Sequence, residues 1–342
     1  MDVPTFEIVT KEYGFAIDDE LTFDVVSKGG DLPCLRLLGL SRRQEPVPSP
    51  SSFIEQHRKP GIKSPSEIPR TTGTRAKSEW TTYEAHISKY AEVTTGISQQ
   101  KLYGTIATIN VWEPVVENRT EFSLSQVWIT SGDYETENLN TIEVGWQVCE
   151  ELYNDNKPRL FIYWTSDVYI TTGGYNLRKP GFIQTSSEIV LGGAISPVSS
   201  VGGRQFEMTI LVWKDPRSGN WWLRVGTDLV GYWPRELFTT LGDHARKIDW
   251  GGEIIDSESF GRHTKTQMDS GRFPQEGFGN ASYFRNIQVV DHTCSFQTTP
   301  ELFTQADTPY YDVKKLHRDE LGTHFFYGGP GFGHMHSGVA FV

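Results

Sequence analysis

Two glutamates stand in unusual strand positions. In Thr141-Ile-Glu-Val-Gly-Trp-Gln-Val148, strict alternation puts Ile142, Val144, Trp146 and Val148 on one face and leaves Glu143, Gly145 and Gln147 on the other. The pattern recurs in Trp250-Gly-Gly-Glu-Ile-Ile255, where Glu253 shares a face with Gly251 while Trp250, Gly252 and Ile254 point the other way. Each acid thus lies beside a residue with no side chain, which is how a sheet makes room for another backbone to approach. If the two strands lie close in one sheet, their carboxyls face each other across a groove floored by Gly145 and Gly251. Like charges that close cannot both ionise, so the pair shares a proton at mildly acidic pH. Such a pair can hydrolyse an amide without a metal or a covalent intermediate. The ionised carboxylate takes a proton from the attacking water, and the protonated one assists the carbonyl oxygen or the leaving nitrogen. The same alternation also fits two solvent-facing strand glutamates, the fate of most glutamates.

Other chemistries lack their signatures. The chain has no G-x-S-x-G nucleophile elbow, no H-E-x-x-H, no phosphate-binding loop and no dinucleotide fingerprint. Cys149 is followed by Glu150 and Glu151, a negative field that raises a thiol's pKa, so it reads as a packing residue. His334 and His336, two apart in the glycine-rich stretch GGPGFGHMHSGVAFV, are a weak signal, and no metal or cofactor is assigned.

The elements that must position the acids are strands. Aromatic residues make up 13% of the 342 residues, and 33 Gly and 18 Pro punctuate them, the profile of many strands joined by turns. Period-2 segments follow one another: KLYGTIATINVWEP, FSLSQVWITSG, NTIEVGWQVC, PRLFIYWTSD, RQFEMTILVWKD, NWWLRVG, KIDWGGEIID and SYFRNIQVV. In TILVWKDPRSGNWWLRVG, Asp215-Pro216 opens a turn and Gly219-Asn220 closes it between two aromatic strands, a hairpin signal. Helical periodicity is confined to short pieces such as PRELFTTLGDHA, with Pro234 placed to start a helix. The expected fold is all-β, a two-sheet antiparallel β-sandwich with an irregular N-terminal segment.

Residues 1–40 form that N-terminal segment, and the Pro/Ser/Arg-rich stretch 41–82 reads as a linker that cannot bury enough apolar surface to fold alone. The sandwich domain is expected over 83–331, with a Gly-rich tail at 332–342. A formal charge of −11 repels phosphate backbones, which excludes nucleic-acid binding. No apolar run reaches the roughly 18 residues of a membrane span, and the N-terminus lacks a signal-peptide pattern. Cys34, Cys149 and Cys294 are too few and too scattered for a disulfide framework.

From about Ala85 to Gly331, a series of long aromatic motifs resembles the neprosin family. They include IEVGWQV, ELYNDNKPRLFIYWTSDVYITTGGYNL, IVLGGAISPVSS, LVGYWPRELFTTL, WGGEIID, HTKTQM, GRFPQEGFGNASYFRNIQVV and FYGGPG. The resemblance implies a secreted, plant-type glutamic endopeptidase with a two-sheet sandwich, an acidic working range and a preference for cutting after proline. It places the catalytic dyad at Glu143 and Glu253, the pair the strand pattern also selects. Gly145, Gln147, Tyr232, Trp233, Gly251 and Gln267 are the candidates for substrate binding, because groove-facing or motif-embedded aromatics and amides suit an extended proline-containing peptide. The expected partners are peptide or protein substrates, with the chain a monomer, extracellular or vacuolar by resemblance.

Three departures from the family pattern stand out. The usual GCYNLLCPGF hairpin appears as GGYNLRKPGF, with Gly174 and Lys179 in place of both cysteines. Tyr310 occupies the position expected to pair with Cys294, which predicts a free thiol there. Asp269 replaces a glycine and adds a negative charge beside a motif expected to border the cleft. The sequons Asn118-Arg-Thr and Asn280-Ala-Ser have a use only in a secreted chain. Two alternatives stay open at this level: a catalytically inactive sandwich that binds peptides or carbohydrates through Trp and Tyr, and a glycosidase using the same two acids.

Overall fold

The structure is a computed structural model that describes residues 87–97, 100–258, 262–298, 301–314, 317–319 and 321–332. The N-terminal segment, the linker and all but the first residue of the Gly-rich tail, with His334 and His336, lie outside the described residues.

Seventeen strands are described. The first six are β1 (Ile87–Thr94), β2 (Gly104–Asn110), β3 (Ser123–Ser131), β4 (Asn140–Val148), β5 (Arg159–Thr165) and β6 (Gly174–Tyr175). Then come β7 (Ile183–Gln184), β8 (Glu207–Lys214), β9 (Trp221–Val225), β10 (Asp228–Trp233), β11 (Lys247–Asp256) and β12 (Ser282–Val290). The last are β13 (Phe296–Gln297), β14 (Phe303–Ala306), β15 (Asp312–Val313), β16 (His317–Asp319) and β17 (Gly322–Gly328). One sheet runs β14-β1-β11-β3-β4-β5-β6, and the other runs β15-β17-β12-β2-β8-β9-β10-β7, with β13 and β16 attached to β12 and β17. All pairings are antiparallel, as expected of a sandwich whose connections are turns.

Alternation decides what lies between the sheets. Ile142, Val144, Trp146 and Val148 of β4 and Trp250 and Ile254 of β11 join one buried cluster with β2, β8, β9 and β12, as the sequence pattern predicts. Two of these tryptophans also tie the sheets together. Trp146 Nε1 donates to the Asn110 carbonyl at 2.9 Å, and Trp250 Nε1 donates to Thr105 Oγ1 at 3.2 Å, both on β2. A buried indole needs such an acceptor, and each bond fixes the strand that carries a candidate glutamate.

The predicted hairpin forms between β8 and β9, with Asp215 Oδ2 accepting from the Ser218 amide at 2.9 Å. The predicted helix at Pro234 does not. Only a 3-10 turn forms at Arg235–Leu237, because Phe238 and Leu241 are drawn into the core on either side of a bend at Thr239-Thr240. The only α-helix among the described residues is α1 (Glu150–Tyr153), and no described helix is long and apolar enough to cross a membrane.

Candidate active site

Glu143 and Glu253 lie on the same face of the seven-stranded sheet, the face turned away from the other sheet. β3 runs between their strands. Glu253 pairs with Leu124 of β3, and Trp128 of β3 pairs with Glu143, so the two acids sit two strands over and four residues along from each other. Gln126 occupies the midpoint of that diagonal. Its Nε2 donates to Glu143 Oε2 at 3.3 Å, while its Oε1 is buried without a hydrogen bond. The expected pair of directly facing carboxyls is therefore a pair with a carboxamide set between them.

Gly145 and Gly251 both pair with Gln126 and flank it across the sheet. A Cβ on Gly145 would lie 1.9 Å from the Ser125 carbonyl oxygen, and one on Gly251 would lie 2.3 Å from that of Ala91. The backbone these glycines admit is that of the neighbouring strand. They let β3 and β1 close in at the centre of the site.

Both acids are buried, Glu143 at 2% and Glu253 at 1% exposure, so neither is a solvent-facing strand glutamate. Glu143 Oε1 accepts from Thr141 Oγ1 at 2.9 Å and from the Tyr169 hydroxyl at 2.8 Å. Tyr169 arrives on the β5–β6 connection, where Val168 (φ 60°) and Tyr169 (φ 65°) adopt the left-handed conformation. Such a conformation in a β-branched residue persists only when its surroundings over-determine it. Asp167 supplies that constraint. Its carboxylate accepts from the amides of Thr171 and Thr172, both at 2.9 Å, and from both threonine hydroxyls, which hold it well below the usual carboxylate range despite its partial burial.

Apolar and aromatic side chains wall the acid face: Leu124, Trp128, Phe161, Tyr163, Tyr175 and Ile255. Beside Glu143 opens a cavity of about 520 Å³ whose lining includes Tyr90, Glu92, Trp128, Tyr134, Tyr169 and Asp249. Glu92 of β1 pairs with Gly251, and Asp249 of β11 pairs with Trp128. Burial, reinforced by the Asp249 carboxylate, pushes Glu92 up to about 8. Burial also raises Asp249, while Lys247 Nζ, 2.9 Å from Asp249 Oδ2, pulls it back. Three buried acceptors on this face carry no hydrogen bond: Gln126 Oε1, Gln147 Oε1 and Asp249 Oδ1. Unsatisfied buried acceptors are rare in folded proteins and cost free energy, so three on one face call for donors from a ligand or water.

The other sequence candidates divide. Gln147 lies on the acid face in the row of Glu253, its Nε2 donating to the Tyr153 hydroxyl at 3.3 Å. Tyr232 and Trp233 are not brought to it, because β10 belongs to the other sheet. Trp233 packs edge-on to Phe182 in the inter-sheet core, and Tyr232 packs against Trp222 on the face of its sheet away from that core. Gln267 lies on the connection after β11, where its Oε1 accepts from the Val115 amide at 3.1 Å and its backbone N–H donates back to the Val115 carbonyl.

The departures also find places. Asp269 has φ 54°, which explains why a glycine suits the position. Its carboxyl does not border the cleft. It is buried between the sheets, where the Tyr327 hydroxyl donates to Oδ1 at 2.9 Å, and burial pushes it well above the usual carboxylate range. A Cβ on Gly174 would stand 3.1 Å from Lys179 Cβ, so the two substituted hairpin positions still face each other. Cys294 is disulfide-bonded, correcting the expected free thiol. Tyr310 stacks on His263 instead, ring centres 3.9 Å apart. Among the described residues Cys149 is a free cysteine, and burial pushes its thiol up to about 11.

Sequence reasoning missed Gln126, Tyr169, Glu92 and Asp249. Gln126 alternates with Leu124 and Trp128 in a strand otherwise built for burial, a signal that only a register converts into a site. Glu92 lies in β1, a strand the periodicity reading passed over.

Comparison with known proteins places this arrangement. The sequence model of the Neprosin family matches residues 119–330. Among solved structures, Scytalido-glutamic peptidase with a peptide-based transition-state analog is similar at 14% identity and a TM-score of 0.40, over 71% of this chain and 98% of that one. SCP-B, a member of the Eqolisin family of peptidases in complex with the tripeptide Ala-Ile-His, is similar at 12% identity and a TM-score of 0.37, over 71% and 98%. The Neprosin match takes in more than half of the chain, from β3 through β17, and with it both buried glutamates and the strand between them: the chain belongs to the neprosin family.

Proposed function

We propose that this chain is a glutamic endopeptidase that hydrolyses peptide bonds, after proline, at acidic pH, with Glu143 and Glu253 as its acid–base pair. Family membership supports peptidase activity on peptide substrates. The observation that carries the reading is the diagonal Glu253–Gln126–Glu143, two buried carboxyls on one face with a half-satisfied carboxamide midway.

Two strand spacings and four residues of strand rise set the Cα atoms of Glu143 and Glu253 roughly 17 Å apart. The Glu143 carboxyl reaches in as far as Gln126 at the midpoint, and in this reading a water and a scissile carbonyl span the rest of the diagonal to Glu253. The ionised carboxylate takes a proton from the water as its oxygen attacks the carbonyl carbon. The protonated carboxyl donates to the carbonyl oxygen, and the C–N bond breaks as the leaving nitrogen gains a proton. The proton passes between the carboxyls through the water, while the Gln126 NH₂ steadies Glu143 and its free Oε1 accepts from the water or from a substrate N–H. Gln147 Oε1 and Asp249 Oδ1 offer further acceptors for the N–H groups of an extended peptide. Exposed Ile97 and Tyr134, both in the cavity lining, suit apolar or proline-containing segments. The disulfide at Cys294 supports an oxidising compartment, extracellular or vacuolar.

The test is cleavage of proline-containing fluorogenic peptides between about pH 2.5 and 7 by the full chain and by Glu143→Gln and Glu253→Gln. Each substitution is expected to lower kcat by about 10²- to 10⁴-fold, the range of a lost general acid or base. Peptide binding that survives in all three proteins without any cleavage would instead establish a binding module.

A further inference from the structure

β1 precedes the residues matched by the family, yet it brings an acid onto the catalytic face. Glu92 stands opposite Gly251, so it rises between Asp249 and Glu253 of β11 at the one position there that has no side chain. A Cβ on Gly251 would lie 2.8 Å from Glu92 Cβ. The glycine lets the acid in.

The charges around the cavity do not balance. Its lining contains two bases, Arg246 and Lys247, and three carboxyls, Glu92, Asp133 and Asp249. Arg246 attracts Asp133 at the exposed rim, and Lys247 Nζ is held 2.9 Å from Asp249 Oδ2 in the wall. Glu92 is the carboxyl left over. Lys247 also attracts it, but burial and the carboxylates of Asp249, Glu253 and Asp307 outweigh that attraction and leave it up at about 8. On its other side, β14 presents the neutral Gln305. Asp307 follows β14 and accepts the Tyr90 amide at 2.7 Å through Oδ2.

A second observation points into the same space. Asp249, a residue of the cavity wall, is 4% exposed; Lys247 and the Thr94 hydroxyl of the paired strand both engage its carboxyl, and its Oδ1 is left without a well-formed hydrogen bond. The remaining walls are aromatic: Tyr90, Trp128, Tyr134 and Tyr169. Aromatic sides suit the apolar stem and the charged head of a lysine or arginine, and carboxyl oxygens at the base suit its N–H donors.

Resting on the peptidase reading, we propose that this cavity is a subsite for a basic side chain of the substrate, a lysine or arginine beside the scissile bond, with Glu92 as its counter-charge and Asp249 Oδ1 as its second acceptor. The cation adds a third positive charge to a lining of two bases and three carboxyls. On entry it favours the ionised form of Glu92, so binding releases a proton below about pH 8. The selectivity it confers therefore strengthens as pH rises from 4 toward 7.

The experiment has an activity arm and a binding arm. Peptide pairs identical except for lysine or norleucine at each position flanking the scissile bond are cleaved by the wild type and by Glu92→Gln. At one position the wild type is expected to prefer lysine by about tenfold in kcat/KM at pH 6, an increment of about 1.4 kcal/mol. The preference should grow with pH and fall below about twofold in the variant, with the norleucine peptide as internal reference. In the binding arm, N-acetylarginine amide is titrated calorimetrically at pH 6 in buffers of different ionisation enthalpy. The wild type should release up to one proton per ligand bound, and Glu92→Gln none. Equal lysine and norleucine rates in the wild type, or a preference unchanged in the variant, overturn the proposal. If no peptide is cleaved, the peptidase reading fails and the binding arm decides the subsite alone, with absence of binding or of proton release counting against it.

Discussion

The two faces of the seven-stranded sheet are equally buried and differ in what they offer a polar group. On the inner face, the polar atoms are few: Ser125 Oγ and the Tyr327 hydroxyl lie 2.5 Å apart, and that hydroxyl reaches Asp269 Oδ1, leaving Asp269 Oδ2 buried without a partner. On the outer face, Glu92, Gln126, Glu143, Gln147, Asp249 and Glu253 crowd together, and three of their oxygens have nothing to accept from. Both faces hold a carboxyl that burial keeps protonated above its ordinary range, Asp269 within and Glu92 without. Glu92 lines the cavity beside Glu143, and Asp269 is not among its lining residues. A raised carboxyl with a spare oxygen does not by itself mark a site; an adjoining space does.

The largest effect separating the faces is expected from Gly145→Ala. The added methyl would lie 1.9 Å from the Ser125 oxygen, so β3 and β4 must part where Gln126 and Glu143 meet. Overpacking of this kind costs about 3 kcal/mol, at the upper end of its usual range. Denaturant unfolding should show that loss, and cleavage should fall by at least about tenfold through displaced groups.

Next is Asp269→Asn, which probes the inner face. A carboxyl raised in the folded protein contributes its stability fully below the unfolded value of 3.8, and that contribution is lost as pH climbs toward the folded value. Asparagine keeps the shape of the protonated acid and tolerates the left-handed backbone. Melting temperatures of the two proteins should coincide near pH 3.5 and diverge above it in favour of the variant, by at most about 1.4 kcal/mol per pH unit. Parallel curves would show that Asp269 ionises freely in the fold.

Tyr169→Phe sharpens the outer face with the smallest change. Losing the 2.8 Å hydrogen bond to Glu143 Oε1 should lower kcat by about tenfold, the worth of roughly 1.5 kcal/mol in a bond to a charged group. Tyr232→Phe, on the far side of the other sheet, should leave kcat unchanged. An equal loss in both would mean that the effect is general to the fold.

The residues explain what was legible. Period-2 alternation is a property of the chain itself, so the inward Ile142, Val144, Trp146 and Val148 and the outward Glu143, Gly145 and Gln147 followed from order alone. The hairpin after Lys214 was equally local, since Asp215 and Gly219 carry its turn chemistry. The helix expected at Pro234 failed because core contacts outweighed a short stretch of weak helical preference. Tyr232 and Trp233 looked like groove residues because their motif is aromatic, and nothing local says which sheet a strand will join.

By itself, the sequence determined the all-β class, the two strands that matter and the face on which each glutamate stands, because side-chain direction repeats every two residues along one strand. Tertiary structure alone decided the rest. Hydrogen bonding between distant strands set β3 between β4 and β11, put Gln126 between the acids, carried Glu92 up beside Gly251 and turned Asp269 into the core. Register is a relation between strands far apart in the chain, and a one-residue slip would send Gln126 or Glu92 to the opposite face.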